Sequence, residues 1–164
     1  MAKVMSTSRE AALYEQDFPL WAERQAELLR ARRFDALDLD NLIEEVEDLS
    51  RRERDTVESF TETIIEHLLK LALSPASRPR RGWVFTVAKQ RAKLGRKLTT
   101  TLRDHLKAEL PSVYTDMRRP FTAVLARNQV PAEELPPSCP FTLEQILDPD
   151  WYPGNVHGVS DPHP

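Results

Sequence analysis

Apolar residues recur at steps of three, four and seven from Asp40 to Leu73. Leu42, Val46, Leu49, Thr56, Phe60, Thr63 and His67 form one line of this pattern, and Leu39, Ile43, Val57, Ile64, Leu68 and Leu71 widen it. Such spacing puts one apolar face along a helix and leaves the other face to water. The stretch holds about 34 residues, or roughly 50 Å at 1.5 Å per residue. That is long for a globular helix, so it predicts a spine against which shorter helices pack.

On either side the pattern predicts further helices. Tyr14, Phe18, Trp21, Gln25, Leu28 and Leu29 line one face of a first helix within residues 11–32. Pro19 interrupts it, and because proline is accepted in a first turn, the helix proper is expected to start there with Asp17 or Phe18 just outside. Asp38 or Asp40 suits the N-cap of the spine. Ser74-Pro75 ends it, since the residue before proline disfavours helix. A third helix is expected over residues 83–110, with Val84, Val87, Arg91, Leu94, Leu98, Leu102 and Leu106 inward and with close approach of another helix at Gly95. The run Trp83-Val84-Phe85-Thr86-Val87 has strand propensity but no alternating partner. Pro111 is expected to open a fourth helix, with Tyr114, Met117, Phe121, Val124 and Leu125 inward, and Pro120 to bend or break it.

Past Asn128 the chain turns proline-rich, and Thr142-Leu143-Glu144-Gln145 reads as a capping box. Phe141, Trp151 and Tyr152 are expected to anchor this tail. The expected architecture is all-α: an antiparallel bundle of about four helices around one long helix, with the tail packed on it. Residues 1–9 read as a disordered lead, 10–153 as a single helical domain and 154–164 as a disordered end.

Composition narrows the function classes. The single cysteine, Cys139, excludes an internal disulfide framework, and no apolar run approaches the ~20 residues needed to span a bilayer. The first ten residues lack a signal-peptide core. A cytoplasmic protein without membrane contact is expected. Charge is segregated: residues 35–66 carry twelve acids against three bases, and residues 70–107 carry eleven bases against one acid. Neighbouring helices would let these segments offset each other. The other reading is a basic face for phosphates, with Arg80, Arg81, Lys89 and Arg96 as its contacts. The net charge of −3 and the lack of a recognition motif weigh against that second reading.

His67 and Arg91 both fall on apolar stripes, where a polar group needs a partner. Arg91 is expected to pair with Glu62 or Glu66. A hydrolase-like centre of His67, Arg91 and Glu66 is the catalytic reading, and a hydrogen-bonded core histidine is the structural one. Metal and cofactor are not expected. Position 64 is Ile64, so His67 lacks the Glu-x-x-His partner of a di-iron bundle, and there is no His-x-x-x-His. No Gly-rich phosphate loop or serine elbow occurs.

Several segments together resemble the bacterial domain-of-unknown-function 29 family: Tyr14-Glu15-Gln16-Asp17-Phe18 with Trp21 and Gln25-Ala26-Glu27-Leu28-Leu29, then Leu39-Asp40-Asn41-Leu42-Ile43-Glu44-Glu45. His67-Leu68-Leu69-Lys70, Trp83, Gln90-Arg91 and Cys139-Pro140-Phe141-Thr142-Leu143-Glu144-Gln145 extend the match over residues 14–153. After Lys70 the chain departs from the family's usual aromatic and Gln-Pro, with Leu71-Ala72-Leu73-Ser74-Pro75 in their place. The resemblance implies an all-helical fold and assigns no reaction. The expected function is a non-enzymatic interaction or regulatory module with a protein partner. A nucleic-acid-associated protein using residues 78–107 and a hydrolase at His67 are the alternatives.

Overall fold

A computed structural model describes residues 12–127 and 134–160, without the side chains of residues 124–127. Among the described residues there are helices and no strands. After a helical turn over residues 12–16, the elements are α1 (Phe18–Arg30), a 3-10 turn (Phe34–Ala36), α2 (Leu39–Leu73), α3 (Arg80–Lys97), α4 (Thr100–Arg127) and α5 (Leu143–Leu147). The chain divides into two compact units, Met1–Glu53 and Arg54–Pro164, with the boundary inside α2.

In the first unit, Asp17 caps α1, with its side chain accepting from Leu20 N at 3.1 Å and Pro19 in the first turn. Trp21, Gln25 and Leu28 are the buried residues of α1. Arg32 follows it with φ 56°, the left-handed conformation that ends many helices.

The second unit is built on the later half of α2. Val57, Ile64, Ile65 and Leu68 are 0% exposed and share one core with Val87 and Leu94 of α3 and with Leu106, Val113, Tyr114, Met117 and Phe121 of α4. Leu71 packs with Trp83 and Val84 near the start of α3, while Phe60 carries Lys93 over its ring. α3 therefore runs antiparallel to α2, as its hairpin connection predicts. α4 runs back again: His105 Nε2 meets Glu58, and Phe121 lies under Lys70.

The single third helix expected over residues 83–110 is thus corrected to two. The chain reverses at Leu98, whose ψ of 99° leaves the helical region. Thr99 restarts it, its Oγ1 accepting from Leu102 N at 3.3 Å. Neither Pro111 nor Pro120 interrupts α4; both lie inside it. A proline removes one backbone bond and crowds the preceding turn, but Leu106, Val113, Met117 and Phe121 lie buried on one side at steps of four and seven, and that burial holds the helix on course. The Trp83–Val87 run is helical. Gly95 is exposed, and a Cβ there would meet nothing within 4 Å, so no helix among the described residues approaches it. The inward placement expected for Val124 and Leu125 lies outside the described side chains.

The proline-rich tail straps the second unit. Tyr114 Oη donates to Pro136 O at 2.6 Å, and Arg118 reaches Pro136 O and Leu135 O. Both halves of the Thr142–Gln145 capping box form. Leu135, Phe141, Leu143 and Ile146 are buried, with Trp151 edge-on to Phe141 at 5.7 Å. Residues past 153, where the sequence points to a disordered end, close the end of α2. Asn155 Nδ2 donates to Leu71 O and Ser74 O, Val156 N to Ala72 O and His157 Nε2 to Leu73 O. Arg80 joins them, donating to Leu71 O and Ser74 O.

Candidate functional site

Among the described residues, no hydrogen bond joins His67, Glu66 and Arg91 to one another. His67 Nδ1 donates to Thr63 O at 2.9 Å, one turn back on its own helix. Burial holds its pKa below the ordinary histidine value, and Lys70 adds to this against the Thr63 bond and Glu66. Glu66 is ion-paired with Lys70.

Arg91 does not pair with Glu62 or Glu66. Its guanidinium donates to Ile146 O at 2.8 Å, Gln145 O at 2.9 Å and Pro149 O at 3.5 Å, and it lies over the ring of Tyr152. The last carbonyls of a helix lack intrahelical partners and carry partial negative charge, so the exposed end of α5 offers a cation what a carboxylate would. Arg91 is a clamp for the tail. Burial lowers its pKa, opposed by Tyr152 and Asp148.

The four cations proposed for a partner divide. Arg80 is 1% exposed and holds the end of α2. Arg81, Lys89 and Arg96 are exposed on α3, on the side that also bares Phe85. Ion pairs within single helices, as Arg51 with Asp48 and Lys70 with Glu66, offset part of the segregated charge, and the contact of His105 with Glu58 ties α4 to α2.

A shallow groove of about 240 Å³ lies between α2 and α4, lined by Glu62, Thr63, Glu66, Asp116, Met117, Pro120 and Phe121. Desolvation and the charges of Glu58 and Asp116 raise the pKa of Glu62. Among the described residues, no group of three or more His, Cys, Asp or Glu side chains is placed to hold a metal ion. Cys139 donates to Phe141 O, and burial pushes its thiol pKa up, away from the thiolate that nucleophilic chemistry requires.

The first unit shows a different arrangement. Its buried centre is polar: Trp21 Nε1 donates to Asp38 Oδ2 at 3.1 Å, Asn41 Nδ2 to the same oxygen at 2.8 Å, and Asp38 N to Gln25 Oε1 at 2.9 Å. These bonds fix α1 against the start of α2. Tyr14 Oη donates to Glu45 at 2.8 Å, and that bond, with desolvation and nearby carboxylates, pushes the Tyr14 pKa up to about 12. Tyr14, Phe18 and Trp21 form a ring cluster with centroids 4.9–5.8 Å apart.

What the unit leaves bare is the apolar stripe. Stepping by three, four and seven, one face of α2 carries Leu39, Ile43, Val46, Ser50, Val57, Ile64, Leu68 and Leu71. In the second unit this face is sealed, with Val57, Ile64, Leu68 and Leu71 all at 0%. In the first it is open, with Leu39 at 51%, Ile43 at 55% and Val46 at 60%, and Leu49 beside it at 59%. Among the described residues, eight of the ten exposed large apolar side chains belong to this unit, the remaining four of the eight being Phe18, Leu20, Leu29 and Phe34. Sequence periodicity marked these α2 positions as inward-facing and so missed them as surface. The signal available was the acidic flank of Glu44, Glu45, Glu47 and Asp48, against which few bases stand.

The family described as Domain of unknown function DUF29 matches residues 13–152. The chain belongs to the DUF29 family. The match covers both the Tyr14–Trp21 cluster and the Arg91 clamp with its tail, so both belong to the DUF29 region of this chain. No curated protein and no solved structure gives a significant match to it. No helix among the described residues is long and apolar enough to cross a membrane.

Proposed function

We propose that this DUF29 chain is a non-enzymatic interaction module of a bacterial cytosol, and that its contact surface is the open stripe Leu39, Ile43, Val46 and Leu49. One observation carries this reading: a single helix face that is fully buried in one unit continues at 51–60% exposure in the other. The largest apolar patch of a monomeric protein is often functional. The polar hub at Asp38 pre-organises the α1–α2 pair that presents it, which lowers the ordering cost of association. The catalytic alternative loses support because His67, Glu66 and Arg91 each take a separate partner.

The immobilised full chain tests this against the basic face of α3. Proteins retained by the wild type are compared with those retained by Val46→Glu/Leu49→Glu and by Arg81→Glu/Lys89→Glu/Arg96→Glu. Selective loss with the first variant is expected. Selective loss with the second, with salt-dependent retention of duplex DNA by the wild type, would move the function to the basic face.

A further inference from the structure

From the open stripe of α2 we infer that the partner is a second copy of this chain, paired antiparallel along residues 39–49; the inference rests on the interaction-module reading. The spacing itself is the first argument. Leu39, the half-buried Leu42, Val46 and Leu49 stand at intervals of three, four and three, which read the same from either end. Two such helices laid antiparallel about a two-fold axis near Glu44 set Leu39 against Leu49 of the other copy and Leu42 against Val46. Every apolar layer meets an apolar layer, as an isologous interface requires. In that seam Ile43 and Ser50 fall on one flank, Glu45 and Arg52 on the other.

Charge placement agrees. Asp40, Glu44, Glu47 and Asp48 fall at the heptad positions that point away from the seam, where they stay hydrated. Glu45, on the seam's edge, already receives Tyr14 and faces Arg52 at 3.9 Å, so it does not enter the interface as a bare charge.

The size of the unit points the same way. Among the described residues its buried apolar side chains are Trp21, Leu28 and Leu37, a small core for a unit of 53 residues, a size at which burial within one chain is marginal. A large apolar side chain offers on the order of 150 Å², so Leu39, Val46 and Leu49 of the seam and Ile43 on its flank, at about half exposure, present roughly 300 Å², to which the half-buried Leu42 adds less. That falls short of the ~800 Å² per partner of a standard interface. Phe18 and Leu29, beside the buried face of α1, would have to join the seam, making a four-helix assembly of two α1–α2 pairs. Weak, transient contacts sit at the small end of the interface size range, so self-pairing is sought at micromolar concentrations.

Sedimentation equilibrium of the full chain from about 1 to 200 µM brackets that range. The apparent mass is expected to rise from one chain toward two across the series, and Val46→Glu/Leu49→Glu to hold it at one chain with an unchanged helical circular dichroism spectrum. Orientation is read by disulfide trapping in a Cys139→Ser background: an equal mixture of Leu42→Cys and Val46→Cys chains should yield the mixed dimer in severalfold excess over either homodimer. A wild-type chain monomeric at 200 µM overturns self-pairing, while the capture comparison above still decides whether the stripe binds another protein. A dimer that survives the double substitution places the interface elsewhere, and a Val46→Cys chain that bridges best to itself overturns the antiparallel seam.

Discussion

Arg91 and His67 show how a stripe position can be read for polarity without revealing its partner. The helical spacing placed both facing inward, and both are bonded, but to backbone carbonyls that no side-chain pattern marks. Arg91 reaches Gln145, Ile146 and Pro149, more than fifty residues away in sequence. Arg91→Met would leave those acceptors short of donors, and buried unsatisfied groups cost about 1–3 kcal/mol. Urea unfolding should show a loss at the upper end of that range, and Arg91→Lys should recover only part of it, since a point charge cannot fork across three oxygens. For His67 the effect is one of pH. Burial lowers its folded-state pKa, so the unfolded chain takes up its proton first, near pH 6.5. Stability contributed by neutral His67 is therefore complete above that value and falls as pH drops through it toward the folded pKa. His67→Gln should flatten the slope of unfolding free energy against pH over that interval; an unchanged slope would assign the dependence to another group.

At the scale of elements, the existence of the long helix, the hairpin after Ser74-Pro75, the capping box and the start of α1 at Pro19 are all written in local chemistry. The turn between α3 and α4 was also written there, as the Thr99-Thr100-Thr101 run after Leu98, but apolar periodicity bridges a two-residue break without losing phase. Thr99→Ala should lower stability by about 1 kcal/mol, the usual effect of removing an N-cap hydroxyl. The prolines misled in the opposite direction: Pro111 and Pro120 are strong local breakers, and their toleration inside α4 depends on tertiary burial. Gly95 has open space around it, so Gly95→Ala should raise stability by about 0.5–1 kcal/mol through helix propensity alone. A loss in thermal unfolding would mean that an unseen contact needs the glycine.

For the whole molecule, sequence made the helical class and the strapped tail legible but not the division inside α2. A continuous stripe looks the same whether a neighbour covers it or not, and coverage depends on where α3 and α4 turn back. The closure of the spine's end was equally hidden, because Asn155 carries no apolar signal. Its amide donates to two carbonyls of α2's end while its own oxygen accepts from His157 N and Val159 N. Asn155→Ala should lower unfolding free energy by about 1–2 kcal/mol and speed amide exchange beyond Gly154 before exchange elsewhere rises. The same closure sets a schedule for folding. Asn155 follows Leu71 by 84 residues, and at 5–20 residues per second of synthesis that separation corresponds to roughly 4–17 s. Arg80, nine residues after Leu71, is made early enough to reach Leu71 O and Ser74 O, but for that interval the carbonyls of Ala72 and Leu73 lack the donors that Val156 and His157 bring, and the lock is synthesised well after the bolt it secures.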